Sequence, residues 1–503
     1  MFKRVLIANR GEIAVRVVRA CRELGIETVA VFSEADRTAL HVKEADYAYP
    51  IGPPPSKESY LVIDKIIAAI HESKAEAVHP GYGFLAENSG FARRCRDEGI
   101  VFIGPTPEAI DSMGDKVAAR TFMQKANVPV VPGSGGTLSS ADEVVSVCER
   151  IGYPVMLKAA AGGGGKGMRL VHKPEELHSA LRAVRSEAKS SFGDDRMYVE
   201  KYVTKPRHIE VQVMADMHGN TVHLFERECS IQRRHQKVIE EAPSPFIGER
   251  MRAEMGRVAV QAANAVNYVG AGTIEFLVDA DRNFYFLEMN TRIQVEHPIT
   301  EMITGVDLVK TQIEVAAGKP LPFRQEDLGI RGHAFECRVY AEDPYNNFFP
   351  SPGTIAFLQA PGGIGVRDDS GVYGGFEVTV HYDPLISKLI AWGGSRDEAI
   401  SRMRRALDEY SIHGVVTNLA FHRWVLQHFR FLAGDFDTNF IAQEFHSFLS
   451  GSVPSRREAA LAAAALAQRD REVEHRSRAG AAASATVRRS VWKEAGRRRG
   501  LRD

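Results

Sequence analysis

The feature that most restricts the fold lies in the first hundred residues, where short β-branched runs alternate with helical ones. Lys3–Ala8 reads as a strand, Glu12–Leu24 as a helix ended by Gly25, Thr28–Phe32 as a strand and Tyr60–Ser73 as a second helix. Ala77–Val78, the turn-rich His79-Pro80-Gly81-Tyr82-Gly83-Phe84, a helical stretch over Asn88–Glu98 and a strand at Val101–Ile103 follow. Strands joined through helices pair in parallel, so this segment predicts a parallel sheet flanked by helices. Asn9-Arg10-Gly11-Glu12 has too few glycines for a dinucleotide fingerprint and reads as a tight strand-to-helix turn.

From about residue 115 the pattern changes. A helix is expected over Lys116–Ala126, then β-rich segments with glycine punctuation, a strand pair at Gly272–Asp279 and Asn283–Met289, and one helix over Thr300–Ala317 closed by Gly318. A strand-rich stretch broken by prolines and glycines follows residue 330 and ends in a helix at Ser395–Glu409. The expected domains are therefore 1–114, 115–330 and 331–446, with an Ala/Arg-rich tail, 447–503, read as flexible. No solenoid-period repeat occurs.

With 44% hydrophobic and 25% charged residues, the chain is globular and long enough for about three domains. No apolar run approaches the roughly 20 residues a membrane helix needs, and the N-terminal apolar stretch is cut by Asn9-Arg10. A cytoplasmic protein is expected. Its five cysteines are far apart and read as reduced, structural thiols, which excludes a disulfide-stapled class. The 64 basic and 64 acidic residues cancel, but 451–503 holds 13 basic and 6 acidic residues, leaving 51 and 58 in 1–450. Neutrality is thus a sum of unlike parts; it predicts no nucleic acid or membrane partner and does not exclude an anionic substrate.

The cluster Gly162-Gly163-Gly164-Gly165-Lys166-Gly167 lies between β-prone Val155–Leu157 and Met168–Val171. Strand–loop–strand context rules out a Rossmann turn, and Gly167 after Lys166 rules out a Walker A loop. What is left is a hairpin tip able to lay backbone N–H groups on phosphate oxygens and to open and close as a lid, or else a passive surface hairpin.

In the hairpin Gly272–Asn290, a turn at Asp281-Arg282 pairs residues whose numbers sum to 563, so Glu275 faces Glu288. Cross-strand Cβ atoms lie about 5 Å apart, a repulsive arrangement unless a cation intervenes. Asn290 falls on the same face. Oxygen donors with no His or Cys nearby in sequence favour Mg²⁺ or Mn²⁺, the alternative being two solvated glutamates. Downstream, Arg292, Gln294 and Glu296 alternate with apolar residues, an arrangement suited to holding and deprotonating a small planar anion, or a salt-bridged strand end. Basic residues at Lys116, Lys158, His208, Arg233-Arg234-His235 and Lys237 could neutralise a polyphosphate if they converge.

The segments Ile7–Ile13, His79–Phe84, Gly162–Met168, Arg233–Lys237, Glu288–His297, Arg338–Pro344 and Tyr382-Asp383 closely resemble the biotin carboxylase component of biotin-dependent carboxylases, in the ATP-grasp superfamily, over residues 1 to about 446. The resemblance implies an α/β chain, α+β in part: an N-terminal parallel-sheet domain, an ATP-grasp domain with a glycine-rich lid, and a C-terminal mixed β-rich domain. It implies ATP-dependent carboxylation of biotin by bicarbonate through carboxyphosphate. Lys116, Lys158, Gly164, Gly165 and His235 resemble phosphate or nucleotide contacts, Glu200, Lys201 and Val203 an adenine hinge, and His208 and Gln232 further nucleotide contacts. Glu275, Glu288 and Asn290 match metal positions, with two ions expected. Lys237, Arg292, Gln294 and Val295 resemble the bicarbonate site, with Glu296 as base. Arg338 resembles the residue that stabilises the biotin enolate, and Tyr382 and Asp383 match positions near the biotin ring.

No Ala-Met-Lys-Met motif occurs in the 503 residues, so biotin is expected on a separate carrier protein, with a carboxyltransferase as second partner and a homodimer as assembly. The alternatives are another ATP-grasp carboxylate ligase, which would share the lid and metal pair but not Arg292–Glu296 with Arg338, and a non-catalytic nucleotide-binding subunit.

Overall fold

The computed structural model describes residues 1–138, 140–159, 167–192 and 196–451. The chain divides after Glu444 into two compact units, and the following concerns the first. Strands β1 (Arg4–Ile7), β2 (Glu27–Ser33), β3 (Tyr47–Gly52), β4 (Ala77–His79) and β5 (Val101–Phe102) form one sheet in the order β3-β2-β1-β4-β5. Every pairing in it is parallel, as the alternation predicted. β1 and β4 are buried along almost their whole length, and helices cover the sheet with Ile13, Val17 and Val18 on one side and Ile66, Ile70 and Phe91 on the other. The turn after β1 leads directly into helix Gly11–Glu23; Asn9 holds it by donating to the carbonyls of Pro80 (2.7 Å) and Tyr82 (2.8 Å).

β6 (Val155–Ala159), β7 (Met168–Val171) and β8 (Met197–Lys201) form a small antiparallel sheet in the order β7-β6-β8. The strand–loop–strand reading holds, but residues 160–166, with Gly164 and Gly165, lie outside the described residues, as does the tail from 452.

The largest sheet has eight strands. β9 (Arg207–Ala215), β10 (Thr221–Arg233), β11 (Gln236–Ala242), β12 (Gly270–Val278), β13 (Phe284–Asn290) and β14 (His333–Tyr340) are joined by strands Val366–Ser370 and Leu385–Gly393. Their order is β13-β12-β9-β10-β11-β14, then Leu385–Gly393, then Val366–Ser370, so one sheet runs across the boundary drawn near 330. One long helix over Thr300–Ala317 does not form. Gly305 adopts a left-handed conformation at φ 76° and ends helix His297–Thr304, and the Asp307 side chain caps a new helix, Leu308–Ala316, by accepting from Lys310 N. No helix among the described residues is long and apolar enough to cross a membrane.

Candidate active site

Antiparallel register builds the site before any side chain is considered. Arg227 of β10 is opposite Glu210 of β9, Glu210 is opposite Glu275 of β12, and Glu275 is opposite Glu288 of β13. One guanidinium and three carboxylates therefore stand in a row across four strands. The expected 563 register holds at Glu275–Glu288; beyond them an irregularity shifts the pairing, and Phe276 meets Phe286.

Arg227, Glu210 and Glu275 are buried, so their charges must be matched internally. Arg227 donates to Glu210 Oε1 (2.5 Å), Gln212 (2.6 Å), Gln294 (2.8 Å) and Thr300 (2.9 Å). Lys237, from β11, brings its ammonium to Glu210, to Glu275 Oε1 (2.9 Å) and to Glu296 Oε1 (2.6 Å). His208 Nε2 lies 2.9 Å from Glu275 Oε2, while Gln232 donates to its Nδ1 at 2.8 Å. His208 is remote from the carboxylate pair in sequence, but the fold brings it beside Glu275, two residues from Glu210 on a flanking strand.

Glu296 follows β13 at the foot of helix His297–Thr304. Its second oxygen accepts from Arg338 Nη2 at 2.9 Å, and Arg338 also reaches Glu240 at 2.6 Å. Burial alone would raise the Glu296 carboxyl, but Lys237, Arg338 and Arg227 hold it well below the usual carboxylate range. Burial also opposes ionisation of Glu275, and Lys237 and His208 overcome it. Burial dominates at Glu210 and Glu240; the Glu240 carboxyl is pushed up to about 7. The His208 ring is held more basic than usual because Glu275 offsets its burial.

These groups open into one cavity of about 780 Å³. Lys158, Glu200, Lys201, Val203, His208, Gln232, His235, Lys237, Glu275, Glu288, Asn290, Arg292, Gln294, Val295, Glu296, Arg338 and Asp383 all line it. Arg292 donates to Asn290 Oδ1 at 2.9 Å and to Glu87 at 2.9 Å. Glu200 is clamped between Lys158 (2.5 Å) and Arg120 (2.7 Å), and Met156, Met168, Leu277 and Phe286 give the cavity apolar walls. The Lys201 ammonium turns to the carbonyls of Gly152 and Tyr153, at 3.1 and 2.8 Å.

Two residues stand apart. Lys116 opens helix Lys116–Lys125, and its side chain is outside the described set. Tyr382 is not among the cavity-lining residues: its hydroxyl bonds Ser33 (2.5 Å) and Pro54 O (2.5 Å), and Arg10 lies 4.1 Å over its ring. Burial of an aromatic ring against the N-terminal sheet decides its position, and Asp383 alone of that pair faces the cavity. Sequence reasoning missed Glu210, Arg227, Arg120 and Glu240. The signal for Glu210 was present, since His208, Glu210 and Gln212 alternate with Ile209, Val211 and Val213 on a strand buried on both faces.

Glu275 and Glu288 in register, with Asn290 beside them, form a hard-oxygen donor set that fits Mg²⁺ or Mn²⁺.

Three family models cover most of the chain. The biotin carboxylase N-terminal domain matches residues 1–110, the carbamoyl-phosphate synthase L chain ATP-binding domain 115–324, and the biotin carboxylase C-terminal domain 336–443. Biotin carboxylase 1 of Bacillus subtilis (strain 168) is 53% identical over 442 residues, covering 88% of this chain and 98% of its own. The propionyl-CoA carboxylase alpha chain of Ruegeria pomeroyi is 52% identical over 488 residues, covering 92% of this chain and 72% of its own. Among solved structures, the biotin carboxylase domain dimer of Hydrogenobacter thermophilus 2-oxoglutarate carboxylase, in complex with MgADP, ADP and bicarbonate, superposes with TM-score 0.83 at 49% identity, covering 89% of this chain and 99% of that one. The chain belongs to the biotin carboxylase family.

Proposed function

We propose that this enzyme is the ligase that carboxylates biotin with bicarbonate and ATP, and that the residues assembled above carry the reaction. One observation bears most weight: the Glu296 carboxylate, held ionised between Lys237 and Arg338, stands in the same cavity as a cross-strand carboxylate pair suited to a nucleotide-bound metal.

Lys237, Arg292, Gln294 and Val295 would hold bicarbonate, and Glu296 would take its proton. The resulting carbonate oxygen attacks the γ-phosphorus of ATP, the bond to the β-phosphate oxygen breaks, and ADP and carboxyphosphate form. Lys116, Lys158, His235 and the amides of the glycine tip, Gly164 and Gly165 among them, would spread the charge of the transferring phosphoryl. Glu275, Glu288 and Asn290 would hold Mg²⁺ or Mn²⁺, two ions in our reading, which neutralises the phosphate oxygens when bound. Carboxyphosphate splits to CO₂ and phosphate; the phosphate takes the biotin ureido proton, and the nitrogen attacks CO₂ while Arg338 balances charge on the ureido oxygen. Glu200, Lys201 and Val203, with His208 and Gln232, would seat the adenine and ribose.

Domain boundaries near 114 and 330 belong to the same reading, supported by where the three family matches begin and end. So do a carrier protein that presents biotin, a carboxyltransferase that consumes carboxybiotin, a homodimer and a cytoplasmic location; the relatives' names, the dimer among the similar structures and five buried free thiols support these. The test is ADP release that requires bicarbonate and is stimulated by free biotin. ADP release indifferent to both would favour a different ATP-grasp ligase.

A further inference from the structure

Lys388 sits mid-strand in Leu385–Gly393 with none of its surface exposed. Register places it opposite Arg338 of β14 on one side and Asp369 of strand Val366–Ser370 on the other, so three charged side chains come to one face of the sheet. Its ammonium donates to the Val295 carbonyl at 2.9 Å and is ion-paired with Glu12 Oε2 at 3.1 Å and Asp369 Oδ2 at 3.9 Å. Glu12, in the first turn of helix Gly11–Glu23, also accepts from the Tyr82 hydroxyl. A dry ammonium is costly, and two buried carboxylates offset that cost to bring one donor to one peptide oxygen.

That peptide needs an external anchor. Gln294, Val295 and Glu296 lie between β13 and helix His297–Thr304, outside both. The Gln294 carbonyl pairs with His297 Nδ1 at 2.8 Å, and the Val295 carbonyl with Lys388. In a trans peptide the C=O and N–H point opposite ways, so these two contacts fix the direction of the Val295 and Glu296 N–H groups. Val295 and Glu296 both line the cavity.

We propose that Lys388 is a positioning residue for the anion subsite: by holding the Val295 carbonyl it locks the Gln294–Glu296 turn in its anion-binding form, and through Glu12 it ties that turn to helix Gly11–Glu23. The proposal rests on the biotin carboxylase reading. It is tested by the KM values for bicarbonate and ATP, from ADP release, in the full chain, in Lys388→Met, and in Lys388→Met combined with Glu12→Gln, which removes the carboxylate stranded by the first change. Both variants should raise the bicarbonate KM at least tenfold and leave the ATP KM within twofold. A bicarbonate KM within twofold of wild type in either folded variant, or equal rises for both substrates, would overturn it. Absence of bicarbonate-dependent ADP release in the unsubstituted protein would instead remove the reading beneath it, and that shows before any substitution is made.

Discussion

The Lys237 ammonium lies 2.6 Å from Glu296 Oε1, and the other oxygen of the same carboxylate accepts from Arg338. Two cations thus keep a buried carboxylate charged in a place where burial alone would protonate it. Both cations line the cavity, so bicarbonate would enter between a base already ionised and the groups that neutralise it.

Glu296→Gln keeps the shape and one of the two oxygens that accept from Lys237 and Arg338, but it cannot take a proton. General-base catalysis is worth about 10²–10⁴ in rate. Bicarbonate-dependent ADP release should fall by that order while nucleotide affinity, followed by titration of a fluorescent ATP analogue, stays within about twofold.

Arg120 and Lys158 hold the two oxygens of Glu200 from opposite sides. A hydrogen bond to a charged group contributes about 1.5–3 kcal/mol, so Arg120→Met should raise the ATP KM about tenfold or more with the bicarbonate KM unchanged. Steady-state kinetics with each substrate varied in turn separates the two.

Glu275 and Glu288 face each other across two strands. Chelation of divalent metal should stop ADP release, and Glu288→Gln should raise the Mg²⁺ concentration needed for half-maximal rate, since one carboxylate of the donor set is lost. A magnesium titration of both proteins at saturating ATP measures it.

Asp369 is buried and held below the usual carboxylate range: burial would raise it, and Arg367, at 2.6 Å, with Lys388 overcomes that. A carboxyl whose pKa is depressed on folding adds stability above its unfolded value, about 3.9, and that stability is lost as pH falls through the folded value. Breaking a buried pair costs about 3–5 kcal/mol. Urea unfolding should therefore show Asp369→Asn less stable by that order from pH 5 to 8, with the gap narrowing below about pH 4.

Local periodicity made the parallel sheet and the Glu275–Glu288 pairing legible, because both depend on neighbours in sequence and on a single turn. It failed where a single residue overrides a pattern: Gly305 and the Asp307 cap split an apparently continuous helix. It also failed where distant strands meet. Arg227 meets Glu210 only once β9 and β10 pair, and Tyr382 bonds Ser33 and Pro54, more than three hundred residues earlier.

The most direct test follows the carbon. Incubation with ATP, Mg²⁺, free biotin and ¹⁴C-bicarbonate should transfer label to biotin in step with ADP release, and Glu296→Gln should cut both by the same factor. ADP release without bicarbonate, or label found in a product other than carboxybiotin, would contradict the account.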